Sequence, residues 1–274
     1  MSEGWTLAMR AWNWEPTVVI GTALFVITYF AAIGPLRSRF PGSEPGSQSE
    51  KPLQAFWFFL GTSVMIFALV SPLDWAGDEY LLSAHMLQHI LLMLVFPPLL
   101  LLGTPGWMLR PILRRPTLFR IARFLTTPVV AFCLFTADYI MWHTPVLYDA
   151  AMNNELIHVI EHLSFMATGV IAWFPILSPL PELPRLSYPG QILYLFLAML
   201  PMTVVAALIT FAPMPLYAPY VEAPRLFGIS VMTDQEIAGL IMWMPGAMIY
   251  LLALGFVYRQ WARQNREPLD GQPI

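Results

Sequence analysis

The chain has 274 residues, of which 57% are hydrophobic and only 11% are charged. Soluble domains carry about 25% charged residues, so this composition excludes an ordinary water-soluble globule. The formal net charge of −3 excludes the basic face that nucleic-acid-binding proteins need. The single cysteine, Cys133, excludes a disulfide within the chain and is typical of a small buried apolar residue.

Seven continuous apolar stretches follow one another along the chain. A helix needs about 20 mostly apolar residues to cross a bilayer, and continuous rather than alternating runs favour helices over barrel strands. The sequence therefore predicts an all-α, polytopic bundle of seven transmembrane helices in one membrane domain, 1–274. The predicted helices cover 17–35, 53–71, 80–102, 125–142, 153–177, 189–212 and 234–258.

The residues between these stretches support the predicted ends of the helices. Residues 41–52 form a polar linker rich in Pro, Gly and Ser. Prolines within the third, sixth and seventh stretches predict kinked helices, because proline removes a backbone hydrogen bond. The first sixteen residues show no removable signal peptide, and Trp5, Trp12 and Trp14 are typical of an anchor at the membrane interface.

The basic residues predict the orientation. Short loops rich in Lys and Arg stay in the cytoplasm. Of the 14 basic residues, all but Arg10 and Arg225 fall in loops one, three and five and in the C-terminal tail. The N-terminus is therefore expected outside and the C-terminus inside, with loops two, four and six facing out.

All five histidines are expected near the outer face, at similar depth. Two pairs, His85 with His89 and His158 with His162, share the pattern H-x-x-[Q/E]-H. Residues four apart lie on one helical face, which suits two imidazoles binding one ion. His143 follows the outer end of the fourth stretch. The sequence predicts one histidine cluster, because ionisable residues within membranes are rare and usually functional.

Imidazole suits copper and zinc, and thioether ligands select Cu(I). Among the 16 methionines, Met86 and Met202 are candidate neighbours of the cluster. Metal-bound histidines usually need partners that fix their tautomers. Carboxylates near the expected cluster are candidates for that role: Asp138, Glu155 and Glu161. For Asp78 and Glu79 the sequence leaves open an equal alternative, that of solvated residues at a helix N-terminus, where negative charge is favoured.

Other chemistries stay open from the residues alone. Histidines can bridge helices by hydrogen bonds, and one haem between two helices would use two of the five. The pattern H-x-x-E-H, ending at His162, is also found in zinc proteases, with the glutamate as general base. Gln88 stands in that position in the first pair, which favours ligation as the shared role. A proton-linked transporter would instead place its site at the midplane.

Three segments resemble a known family. They are HMLQHILLMLVFPPLLLLGTP, WHTPVLYDAAMNN and HVIEHLSFMATGVIAWFPIL, in this order. They are similar to the seven-helix CtaG-type assembly factors of haem–copper cytochrome oxidases, over about residues 17–258. The resemblance implies a multi-pass protein of the bacterial plasma membrane that delivers copper, most readily Cu(I), to cytochrome c oxidase subunits. It implies a copper chaperone rather than an enzyme. The residues themselves leave open zinc as the alternative metal, a homo-oligomer, and a metalloenzyme as the alternative function, either a zinc hydrolase that uses HVIEH or a copper redox enzyme. The implied ligands are His85, His89, His143, His158 and His162.

Overall fold

The computed structural model describes residues 10–40 and 53–265, with the side chain of residue 112 excepted. The predicted linker 41–52, together with Trp5, Lys51 and Arg266, lies outside the described residues. The described chain is helical throughout, with turns between the helices. In chain order the α-helices are α1 Pro16–Ile33, α2 Gln54–Val70, α3 Pro72–Glu79, α4 Leu82–Ile90, α5 Phe96–Gly103, α6 Gly106–Leu113, α7 Pro116–Leu125, α8 Pro128–Trp142, α9 Pro145–Met152, α10 Glu155–Leu177, α11 Tyr188–Thr210, α12 Ala218–Glu222 and α13 Val231–Gln264.

Five helical segments are long and apolar enough to cross a membrane by themselves. They are α1, the joined segment Leu82–Gly103, α10, α11 and α13. Two bent pairs also pass the same test: α2 with α3, bent by 43°, and α7 with α8, bent by 69°. If each bent pair is one span, the described chain has up to seven, so the expectation of a multi-pass, all-helical membrane protein is confirmed at this level.

The fourth predicted helix differs from the prediction. Residues 125–142 do not form one helix, because α7 ends at Leu125 and α8 begins at Pro128. Proline at the first position of a helix has no N–H to continue the preceding helix. Cys133, predicted to be buried, is exposed on α8. In a membrane bundle the outward surface is as apolar as the interior, so hydrophobicity does not report burial there.

The third predicted helix contains a π-helical turn, Leu91–Val95, which joins α4 to α5. This turn precedes Pro97 and Pro98, and it accommodates the backbone that the prolines disturb. π turns are common near functional sites, and this one starts two residues after His89. In contrast, α11 and α13 continue as single helices through Pro201 and Pro245.

Side-chain contacts between loops define two ends of the bundle. At one end, Arg110 of α6 pairs with Glu182 in the loop after α10, at 3.1 Å. At the other end, the Tyr220 hydroxyl of α12 donates to the Gly77 carbonyl of α3 at 2.7 Å. Loops two, four and six therefore meet at one end and loops three and five at the other. The histidines all lie at the end that carries α3, α9 and α12.

Candidate metal centre

The first histidine pair is held by a cap from a distant helix. Asp234 of α13 is buried and accepts hydrogen bonds from the Leu82 N–H at 2.7 Å and the Ser83 N–H at 3.2 Å. These two N–H groups belong to the first turn of α4, which has no helical partner for them. The cap fixes where α4 begins and so fixes His85 one turn further on.

The second pair is positioned by a local cap. The side chain of Asn154 accepts a hydrogen bond from the Ile157 N–H at 3.2 Å, at the start of α10. Asparagine is among the preferred residues at this position, because its oxygen satisfies an otherwise unpaired N–H. His158 follows one turn later, as His85 does in α4.

Four imidazoles from α4 and α10 form one compact group. Within each helix, the ring centroids are 4.2 Å apart for His85 and His89 and 4.3 Å apart for His158 and His162. Between the helices, the centroids of His85 and His158 are 5.3 Å apart, and those of His89 and His162 are 5.5 Å apart. The two predicted pairs are therefore side by side at one depth.

His143, the first residue after α8, completes this histidine cluster. Its ring centroid lies 5.7 Å from that of His89. Its Nδ1 lies 2.7 Å from the Tyr139 carbonyl oxygen. A carbonyl can only accept, so this hydrogen bond requires the proton on Nδ1 and leaves the lone pair of Nε2 free for a metal.

Two carboxylates border the cluster. A Glu161 oxygen lies 3.7 Å from His89 Nε2, and both residues are almost fully buried. One oxygen of Asp78 lies 3.4 Å from His85 Nδ1 and 3.7 Å from His158 Nε2. Asp78 is the last-but-one residue of α3, so it does not have the helix N-terminal position that the sequence left open for it. Sequence reasoning missed it because the chain turns back between α3 and α4.

Gly77 lets α3 approach His85 so closely. A Cβ at this position would lie 2.9 Å from the His85 backbone nitrogen and 3.0 Å from its Cα. Real Cβ atoms essentially never make contacts under 3.0 Å. Glycine is therefore required if Asp78 is to reach the two imidazoles with α4 in its present place.

The polar atoms of the cluster are buried without hydrogen-bond partners. Among the described residues, seven imidazole nitrogens and both oxygens of Glu161 are buried and make no hydrogen bond. Unpaired polar atoms cost several kcal/mol each inside a bilayer, so a protein rarely collects nine of them without a ligand. The nitrogens are Nδ1 and Nε2 of His85 and His89, and Nε2 of His143, His158 and His162.

Two sets of donor atoms are close enough to hold an ion. His85, His158 and His162 form one set, and His85, His89 and Glu161 form the other. In each set the donor atoms lie within 4.8 Å of one another. The sets share His85, so the buried group offers two adjacent three-ligand positions. These residues fit a metal, and their geometry does not identify which metal.

The other predicted neighbours do not all join the cluster. Asp138 accepts hydrogen bonds from Trp142 Nε1 at 3.0 Å and the Thr168 hydroxyl at 2.7 Å, so it braces α8 against α10. Glu155 is exposed in the first turn of α10. Met86 and Met202 are buried in the main hydrophobic core, where methionine commonly fills space.

Three tyrosines that were not predicted as site residues lie above the cluster, at the end of the bundle where loops two, four and six meet. The hydroxyls of Tyr148 and Tyr220 are 2.9 Å apart, and the Tyr217 hydroxyl donates to the His143 carbonyl at 3.0 Å. Burial raises the pKa of the Tyr148 and Tyr220 phenols well above the usual value. Both phenols therefore stay protonated and can donate. They link α9 and α12 over the cluster.

Comparison with known proteins gives one family and several relatives. A family model described as cytochrome c oxidase caa3 assembly factor (Caa3_CtaG) matches residues 27–264. Uncharacterised proteins of Mycobacterium bovis and Mycobacterium tuberculosis are each 26% identical over 94% of this chain and 40% of their own length. An uncharacterised protein of Mycobacterium leprae is 28% identical over 75% of this chain and 33% of its own. The chain thus spans about two fifths or less of these relatives. No solved structure gives a significant match.

Proposed function

This chain belongs to the cytochrome c oxidase caa3 assembly factor family, and we propose that it binds Cu(I) in its histidine cluster and delivers it to a cytochrome c oxidase subunit. The observation that carries the proposal is the set of seven buried imidazole nitrogens that make no hydrogen bond. Imidazole is a good ligand for copper, and a neutral imidazole leaves without a charge penalty, which favours transfer by ligand exchange.

The position of the cluster supports a role in delivery. We propose that the chain is a single membrane domain in the bacterial plasma membrane, with its N-terminus outside, because twelve of its basic residues fall on the other side. Loops two, four and six, and the cluster beneath them, then face outwards. His158 and Asp78 provide the opening, with side chains 16% and 28% exposed, whereas His89 and Glu161 are sealed. An ion would enter past the first two residues.

Zinc is the alternative ion, and one observation favours it at the inner position. Glu161 adds a carboxylate oxygen to His85 and His89, a mixed set that suits zinc better than Cu(I). A zinc hydrolase would use this glutamate as a base on a bound water. The Glu161 side chain is fully buried, which leaves no room for a substrate beside it and favours a binding role.

The test is the copper content of the detergent-purified protein after equilibration with Cu(I). We expect stoichiometric copper in the wild type and its loss in the His85→Ala/His162→Ala double variant, which removes a ligand from each set. Glu155→Gln, at an exposed site on α10, is the matched control and should retain copper. Oxidase isolated from cells that carry the double variant should contain less copper. Wild-type protein that takes up zinc but no Cu(I) would contradict the proposal.

A further inference from the structure

A second feature lies beside the histidine cluster, on the side of the bundle that faces α1. A cavity of about 420 Å³ opens between α1, α2, α5 and α10. His162 is the one ionisable side chain in its lining. Apart from two threonines of α1, the rest of the lining is aliphatic, aromatic or thioether. The cavity therefore joins the cluster to the outward surface of the bundle.

Two methionines line this cavity together with His162. Met166 follows His162 by four residues on α10, so it lies on the same face and about 6 Å further along the axis. Met65 comes from α2, and it belongs to a small buried group with Phe96 against which Met166 packs. The imidazole and the two thioethers thus share one cavity.

The same spacing occurs on α4, but there it leads to a different place. Met93 follows His89 by four residues, as Met166 follows His162. The π turn that contains Met93 packs against α10 at Gly169, where an added Cβ would lie 2.6 Å from the Met93 carbonyl oxygen. Met93 is sealed in the main core with 1% exposure. Of these two histidine–methionine pairs, only His162 and Met166 on α10 line the cavity.

The surroundings of the cavity favour a route out of the cluster. α1 forms one wall of the cavity and buries only Tyr29 and Ala32, so it packs loosely against the rest of the bundle. His162 Nε2 belongs to the donor atoms of the cluster, and the His162 side chain also borders the cavity, with 7% of the residue exposed. Methionine can simply fill gaps, but here two thioethers and an imidazole line one cavity, and together they make a donor set typical of Cu(I) sites.

We infer that His162, Met65 and Met166 form a further Cu(I) position at the edge of the histidine cluster. Through this position, copper leaves the cluster towards the membrane-facing side of the bundle. The inference rests on the proposed function, since it takes its ion from the cluster. In the transfer, the ion keeps its bond to His162 while the thioethers replace the imidazoles of His85 and His158. Copper stays Cu(I) throughout, and the exchanged ligands are neutral, so no electron or proton is needed.

X-ray absorption at the copper edge tests this position directly. The protein is produced with selenomethionine and loaded with one equivalent of Cu(I), so that a thioether ligand appears as copper–selenium scattering. We expect copper–nitrogen and copper–selenium scattering in the wild type. His158→Ala should raise the selenium contribution, because it removes a competing imidazole from the cluster.

The Met65→Leu/Met166→Leu variant should lose the selenium contribution and keep the nitrogen contribution. Leucine preserves the volume and apolar character, so the fold should survive, and circular dichroism checks this. Met244→Leu/Met248→Leu is the matched control, because both methionines are exposed on α13, and it should behave as the wild type. Copper–nitrogen scattering without copper–selenium scattering, in both the wild type and His158→Ala, would overturn the inference alone. Absence of copper–nitrogen scattering would overturn the proposed function as well.

Discussion

Replacing Gly77 by alanine should weaken metal binding without removing a ligand. The added Cβ would lie 2.9 Å from the His85 backbone nitrogen. Ordinary van der Waals contact starts near 3.4 Å, so α3 and α4 must move apart by about 0.5 Å. Binding sites tolerate only about 0.5 Å of misplacement in their ligands. We therefore expect Gly77→Ala to lower Cu(I) affinity about 10-fold to 100-fold, the range seen when the partners that orient metal ligands are lost.

The size of this effect follows from which part of the site moves. His85 is common to both donor sets, so its displacement disturbs either position. A tenfold loss corresponds to about 1.4 kcal/mol of binding free energy. The free energy of unfolding should change less, because alanine has a higher helix propensity than glycine by about 1 kcal/mol, which offsets part of the steric cost.

Competition with a chromophoric Cu(I) chelator measures the affinity, and thermal unfolding in detergent measures the stability. The control is Gly255→Ala in α13, where an added Cβ meets no atom within 4 Å. That variant should bind copper as the wild type does. If Gly77→Ala bound Cu(I) within twofold of the wild type, the packing of α3 on α4 would not set the ligand geometry, and the reasoning would be wrong.

Three further outcomes are expected. Glu161→Gln should weaken zinc binding more strongly than Cu(I) binding, because zinc favours a carboxylate ligand and Cu(I) does not. Competition titration with each ion measures both affinities, and equal losses would argue against this assignment. Tyr220→Phe should lower the free energy of unfolding by about 1 to 3 kcal/mol, since it removes the hydrogen bond to the buried Gly77 carbonyl, and an unchanged unfolding midpoint would refute this. Asp138→Asn should retain its metal, measured by elemental analysis, because Asp138 accepts from Trp142 and Thr168 rather than from a histidine.

The multi-pass, all-helical character, with five to seven candidate spans, and the meeting of the five histidines could be predicted from the sequence. Both depend on local regularities: hydrophobic length sets a span, and spacing of four sets a shared face. The short helices α3, α9 and α12 could not be predicted in this way. They have eight, eight and five residues, too few for a stable helix without tertiary packing. The contacts of Tyr148 and Tyr220 provide part of that packing.

The contribution of Asp78 was missed for a related reason. Its distance from His85 along the chain says nothing about contact, because Tyr80 and Leu81 lie between two helices and the chain reverses there. Only the close approach of Gly77 to α4 brings the carboxylate to the imidazoles. A glycine directly before an acidic residue at a helix end is the one local signal that this approach leaves in the sequence.

The equal depth of the two histidine pairs has a different physical origin in each helix. In α10 the cap is Asn154, four residues before His158, so the sequence alone can place this pair relative to the helix start. In α4 the cap is Asp234, more than 140 residues away and buried in α13. Helix register at the site therefore depends on the docking of the last span against the third. The Asp234 carboxylate accepts the hydrogen bonds of the first turn of α4. The positions of His85 and His89 therefore depend on how α13 packs in the bundle.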